Sequence, residues 1–269
     1  MKRRDFIQTT ISAAALAGVG MASCGATAGD AAGAGAKARE YYEWRTYLLK
    51  SPAQLERLEA YFAKAAIPAL NRLGSKPVGV FREMDKPEAT KLFVMIPHPT
   101  LEAFGAVAGL LAKDDEYQRA ASDYIGATKS DPAYARIESS LMVAFSGMPK
   151  IELPSYSVAR KARMFEVRIY EAHSEAKNLK KVAMFDDGEI QIMRDTGLAP
   201  VFYGHTIIGT KVPNLTYMLS AENKDEHKKH WGSFGGHPEW KRIKDLPIYA
   251  DTVSDITNFF IVPSDCSQI

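Results

Sequence analysis

Apolar and polar residues alternate in Tyr42-Glu43-Trp44-Arg45-Thr46-Tyr47, the period of a half-buried strand. A helix is predicted next, with Ser51 as N-cap and Pro52 in its first turn. Leu55, Leu58, Phe62, Ala65, Ala66 and Leu70 recur at helical spacing until Gly74 ends it. Strands in hairpin order are predicted over 77–84 and 90–97, a second helix over 100–112, and a closing strand over Leu141–Phe145. The same order then returns. Phe165–Tyr170 alternates, Ser174 and Gly197 bound a helix, strands fall at 200–209 and 214–221, a helix at 223–234, and Phe259–Val262 closes the series.

This return is a repeat of sequence as well as of pattern. At an ungapped offset of 123, Glu43, Arg45 and Tyr47 meet Glu166, Arg168 and Tyr170, and thirteen further identities run from Ser51/Ser174 to Arg119/Arg242. Chance matching at ordinary residue frequencies gives about four to six over such a span. The period is a whole domain rather than a solenoid repeat. Each unit reads β-α-β-β-α-β, the ferredoxin-like arrangement, which covers one sheet face with helices and leaves the other needing a partner. The expected fold is therefore α+β: two tandem ferredoxin-like units, at 39–147 and 160–263, packed sheet to sheet as an intramolecular αβ-barrel. The segment from Gly147 to Pro154 links them.

The strand motifs Tyr42-Glu43-x-Arg45-x-Tyr47 and Phe165-Glu166-x-Arg168-x-Tyr170, with Trp231-x-x-Phe234 and His237-Pro238-Glu239-Trp240, resemble the NIPSNAP family over about residues 40–263. The first unit has Asp114-Asp115-Glu116-Tyr117 where the second has His237-Pro238-Glu239-Trp240, so it is the more divergent half. The resemblance implies a dimeric-αβ-barrel type of fold and no defined reaction. Kinship with αβ-barrel monooxygenases and haem-handling proteins is fold-level analogy.

Strand alternation puts Phe165, Val167 and Ile169 on one face and Glu166, Arg168 and Tyr170 on the other. With the apolar set placed against the helices, Glu43, Arg45, Tyr47, Glu166, Arg168 and Tyr170 converge on the barrel interior. They form there either a paired structural network or a pocket in which arginine grips a carboxylate or other anion. His205, on a strand beside Gly204, joins them as a candidate ligand-binding residue. His227 and His230 fall in a charged run that reads as a solvated helix face, His98 and His173 read as loop residues, and Trp231, Phe234 and Trp240 as core. No metal-ligand spacing, nucleophile elbow, phosphate loop or dinucleotide fingerprint is present, so the residues imply no cofactor and assign no catalytic residue.

With 34 Lys and Arg against 32 Asp and Glu in 269 residues, no whole-chain charge calls for nucleic acid. The first residues alter the picture more. Arg3-Arg4 precedes Phe6 and a small-residue apolar stretch too short to span a bilayer, which reads as a twin-arginine export signal followed by a Gly/Ala-rich tether through residue 38. Met21-Ala22-Ser23-Cys24 resembles a lipobox, making Cys24 the candidate lipidation site. Ala26-Thr27-Ala28 is the ordinary cleavage alternative. The expected location is periplasmic or membrane-tethered, with membrane contact only through that anchor. Cys24 and Cys266 are the only cysteines, which excludes a disulfide framework, and Cys266 reads as an exposed thiol without a role. The leading expectation is a binding protein for a small organic ligand or for a protein partner, including a second copy of itself. The alternative is a monooxygenase-like or isomerase-like enzyme using the barrel interior.

Overall fold

The computed structural model describes residues 38–86 and 90–269; the segment read as an export signal, with Arg3, Arg4 and Cys24, lies outside the described residues. The first half runs β1 (Tyr41–Leu48), α1 (Pro52–Tyr61), α2 (Ile67–Arg72), β2 (Gly79–Glu83), β3 (Lys91–His98), α3 (Leu101–Leu111), α4 (Asp115–Ala120), α5 (Ser122–Ile125) and β4 (Arg136–Ala144). After α6 (Ser155–Val158), the second half runs β5 (Met164–Glu171), α7 (Glu175–Met184), α8 (Ile190–Asp195), β6 (Pro200–Ile208), β7 (Asn214–Ala221), α9 (Lys224–Gly236), α10 (Pro238–Lys244) and β8 (Asp255–Pro263).

The repeated signals act in both halves. Ser51 and Ser174 each cap a helix by accepting from the backbone N–H three residues on. Gly74 and Gly197 end the corresponding helices at φ +86° and +84°, a conformation costly for any residue with a Cβ. A π-helical turn interrupts each first helix at the same offset, over Phe62–Ala66 and Phe185–Glu189.

Eight antiparallel strands close a barrel in the order β1-β3-β2-β8-β5-β7-β6-β4. This is the expected α+β αβ-barrel, with each ferredoxin-like sheet joined edge to edge to the other through β2–β8 and β4–β6. Its interior is solid. Tyr42, Trp44, Phe81, Phe93, Met95, Met142, Phe165, Val167, Phe202, Met218 and Ile261 form one buried cluster drawn from both halves, with Ile269 packed into it. A barrel of eight strands is just wide enough for side chains to fill.

That cluster reverses the expected facing of the strands. Phe165 and Val167 line the interior, whereas Tyr47 packs in the cluster formed with α1 and α2, and Tyr170 in the cluster formed with α7 and α8. Glu43 and Arg45 share the face of Tyr47, and Glu166 and Arg168 that of Tyr170, so both Glu-Arg-Tyr sets lie between sheet and helices. The reason is energetic. The interior cluster is aromatic, aliphatic and sulfur-bearing and offers the carboxylates no charged partner, while the helix side brings hydrogen-bond donors to them and lets the arginines reach the rim, where their side chains remain 28% and 19% exposed.

Candidate functional site

On β5, Glu166 sits 2% exposed and receives four donors. Its Oε1 accepts from Arg168 at 2.7 Å and from Asn258 Nδ2 at 2.9 Å. Its Oε2 accepts from His227 Nε2 at 2.8 Å and Trp231 Nε1 at 2.9 Å. Burial alone would raise the Glu166 pKa. The His227 bond, the Arg168 charge and the Asn258 bond outweigh it and hold the carboxyl at about 2. Arg168 also lies 4.9 Å over the Trp231 ring and donates to Tyr170 Oη, which shares a hydrogen bond with Tyr217. A carboxylate can only accept, so Nε2 of His227 carries the shared proton. Nδ1 of the same ring is buried and meets no polar partner among the described residues.

The first half builds the same site with fewer donors. Arg45 grips Glu43 bidentately at 2.6 and 2.9 Å, and Ser139 donates at 3.1 Å. Burial again opposes ionisation, and the His98 and Arg45 contacts overcome it, so Glu43 is also held at about 2. Ser139 pairs with Arg45 across β1–β4 as Asn258 pairs with Arg168 across β5–β8, so serine and asparagine are equivalent donors. Histidine reaches the two carboxylates from different elements. His98 stands on β3, opposite Tyr41, with Nε2 3.7 Å from Glu43 and Nδ1 bonded to Ser75. The equivalent of His98 on β7 is Ala221, opposite Met164, and there the histidine comes instead from α9, at the offset-123 position of Phe104.

Six of the seven proposed ligand residues, Glu43, Arg45, Tyr47, Glu166, Arg168 and Tyr170, thus gather as two separate networks rather than one, and outside the barrel rather than inside. Tyr47 Oη, fully buried, has no hydrogen-bond partner among the described residues. His205 joins neither network. It is half-buried on β6, on the face of Tyr203, and burial, reinforced by the Arg39 charge, lowers its pKa. His227 is 3% exposed and His98 1%, which corrects their reading as surface and loop residues. An exact offset comparison could have found His227, because its counterpart Phe104 is apolar and points to a core-facing position. Trp231, Phe234 and Trp240 pack as expected, with ring centroids 5.3 and 4.6 Å apart. Cys266 is half-buried rather than exposed, and burial pushes its thiol up to about 11.

One face of the Glu166 network opens to solvent. β2 pairs with β8 only over Phe81–Glu83, while β8 begins at Asp255, so a notch is left in the barrel wall where the halves meet. A cleft of about 430 Å³ fills the notch, with Met84, Phe93, Phe259 and Phe260 as its apolar lining and Asn258 beside them. Phe93 and Phe259 stack at 4.9 Å. Lys224, at the start of α9, lies 5.5 Å from the Phe260 ring and forms an ion pair with Asp85 across the seam. Among the described residues no group of three metal-binding side chains occurs, and no helix is long and apolar enough to cross a membrane.

Comparison with known proteins agrees with this architecture. Solved structures of candidate monooxygenases from Lactobacillus acidophilus and Fusobacterium nucleatum superpose with TM-scores of 0.53 and 0.51. Identity is 7% and 8%; each match covers 84% of this chain, and 94% and 93% of theirs. At such identity the likeness is one of fold. An uncharacterised NIPSNAP-like domain protein from Burkholderia xenovorans is 17% identical over 38% of this chain and 86% of its own, with a TM-score of 0.35. No curated protein matches the chain in sequence. The NIPSNAP family model matches residues 165–268, the stretch that carries Glu166, Arg168, His227, Trp231 and Asn258. The match falls on the second half of this αβ-barrel.

Proposed function

We propose that the whole chain is a tandem NIPSNAP-type protein that binds a small organic ligand in the seam cleft. The observation that carries this reading is the cleft itself: an aromatic-lined notch of about 430 Å³, within the size range of small-molecule sites, backed by the buried Glu166 network through Asn258. The described interior is filled by the Trp44, Phe165 and Phe202 cluster, which favours the wall over the lumen as the place for a ligand. Binding is favoured over acid–base catalysis because His227, the histidine paired with Glu166, is 3% exposed.

The export signal read at Arg3-Arg4 and the lipobox at Cys24 extend the proposal to a protein that works outside the cytoplasm, tethered to a membrane. Arg3→Lys with Arg4→Lys tests the export route, since retention in the cytoplasm is expected and unchanged export contradicts it. For the cleft, the test is a screen of planar aromatic fragments followed by amide chemical shifts. Perturbations are expected at Phe93, Thr257–Phe260 and Lys224. Fragments that bind without moving these signals, or a screen without binders, would overturn the assignment.

A further inference from the structure

We infer that the cleft selects a flat aromatic ligand carrying a hydroxyl or N–H donor, and that Asn258 is the residue that reads this donor. The inference rests on the seam cleft being the binding site. Asn258 Nδ2 lies 2.9 Å from Glu166 Oε1. Glu166 is an ionised acceptor with no proton to give, so the amide must present its nitrogen to the carboxylate, which leaves Oδ1 directed away from it. The residue is exposed and lines the cleft, so that oxygen is an acceptor available to a bound molecule. Because Arg168 and His227 hold Glu166 in turn, the amide cannot flip and turn Oδ1 toward the carboxylate without breaking a bond to a buried charge.

The remaining lining supports a flat, weakly charged body rather than an anion. Phe93 and Phe259 present stacked rings, and Phe260 adds a third. Of the three lysines at the rim, Lys224 is engaged with Asp85 and Lys86 with Glu83 at 2.5 Å, and the lining carboxylates of Glu83 and Asp85 oppose the charge of the third, Lys91. Discrimination then falls to Asn258 Oδ1, the acceptor beside Phe260 that the Glu166 bond orients. Sites that hydrogen-bond a hydroxyl reject the analogue lacking it far more strongly than apolar pockets reject an added group.

The test compares 2-naphthol with 2-methoxynaphthalene, which keeps the rings and removes the donor, by titration calorimetry on the folded protein. Wild type is expected to bind the naphthol at least about tenfold more tightly than the ether. Asn258→Ser is the informative variant. The first half already carries serine at this position, donating to its carboxylate from Ser139, so the Glu166 bond is kept while the shorter side chain withdraws its acceptor from the cleft. The preference is expected to fall within about twofold in that variant. Asn258→Leu, which removes both functions, should lose the preference and also stability. Equal binding of the two probes to wild type, with shifts at Phe259 and Phe260, would overturn the donor inference and leave the cleft standing. So would a preference that survives Asn258→Ser. Failure of both probes to bind wild type would overturn donor and cleft together.

Discussion

Glu166 on β5 and His227 on α9, 61 residues apart in sequence, meet at 2.8 Å in the layer between sheet and helices. The contact fixes where the polar chemistry of the second half lies, because Arg168, Trp231 and Asn258 all converge on the same carboxylate. In the first half His98 approaches Glu43 from β3, at 3.7 Å. One carboxylate position is thus served by a histidine from either side of the layer.

Removing the charge at Glu166 should be severe. Glu166→Gln leaves Arg168 without its buried partner and turns four accepted bonds into an unsatisfiable set, so a loss of about 2–4 kcal/mol is expected in urea unfolding. Glu43→Gln should cost less, because Arg45 is the more exposed arginine and its carboxylate has fewer donors. Equal costs would show that the networks are not graded as described.

Stability should fall in acid. Both carboxyls are held at about 2, below the ordinary value of 4.5, so the folded state binds their protons less readily than the unfolded chain does. Their contribution is complete above about pH 4.5 and is lost as the pH falls toward 2, on the order of 3 kcal/mol for each. Denaturant midpoints measured through that window should drop less steeply in Glu166→Gln. An unchanged slope would remove Glu166 from the account.

The exchange of histidine between strand and helix predicts a rescue. His227→Phe, which copies Phe104, should cost about 1–2 kcal/mol by taking one donor from a buried carboxylate. Adding Ala221→His, which copies His98, should recover at least half of that. Additive losses in the double variant would mean that the two positions do not serve one carboxylate.

The interior should reject charge. Val167→Glu places a carboxylate among Trp44, Phe165 and Met218, where the surrounding cluster is apolar, and is expected to abolish cooperative unfolding at neutral pH. Phe202→Ala should cost about 3–5 kcal/mol by opening a cavity in the same cluster. A Val167→Glu protein that unfolds like wild type would contradict the assignment of this face to the interior.

Much of the architecture was legible because it is written locally and twice. Caps at Ser51 and Ser174, stops at Gly74 and Gly197, and the shared offset identify the units from residues a few positions apart. Alternation also sorted Glu166 from Phe165 correctly, yet it reports only that they face apart. Which of them meets the helices depends on what the opposite half puts in the lumen, and that is decided by Trp44, Phe81 and Phe202 from distant segments. The same distance hid the partners of Glu166. His227 sits in a charged run that resembles solvated helix, and Asn258 pairs with Arg168 only through strand register. The cleft was invisible for a similar reason, since it exists where β2 stops short of β8, a mismatch between strands of different halves.

The central claim, that recognition takes place in the wall at the seam rather than inside the barrel, is tested most directly by a crystal structure of the protein with 2-naphthol. The account predicts the naphthalene rings against Phe259 and Phe260, with the hydroxyl in hydrogen-bond reach of Asn258 Oδ1. A probe bound among displaced Trp44 and Phe202 side chains, or seated anywhere but the seam, would contradict it.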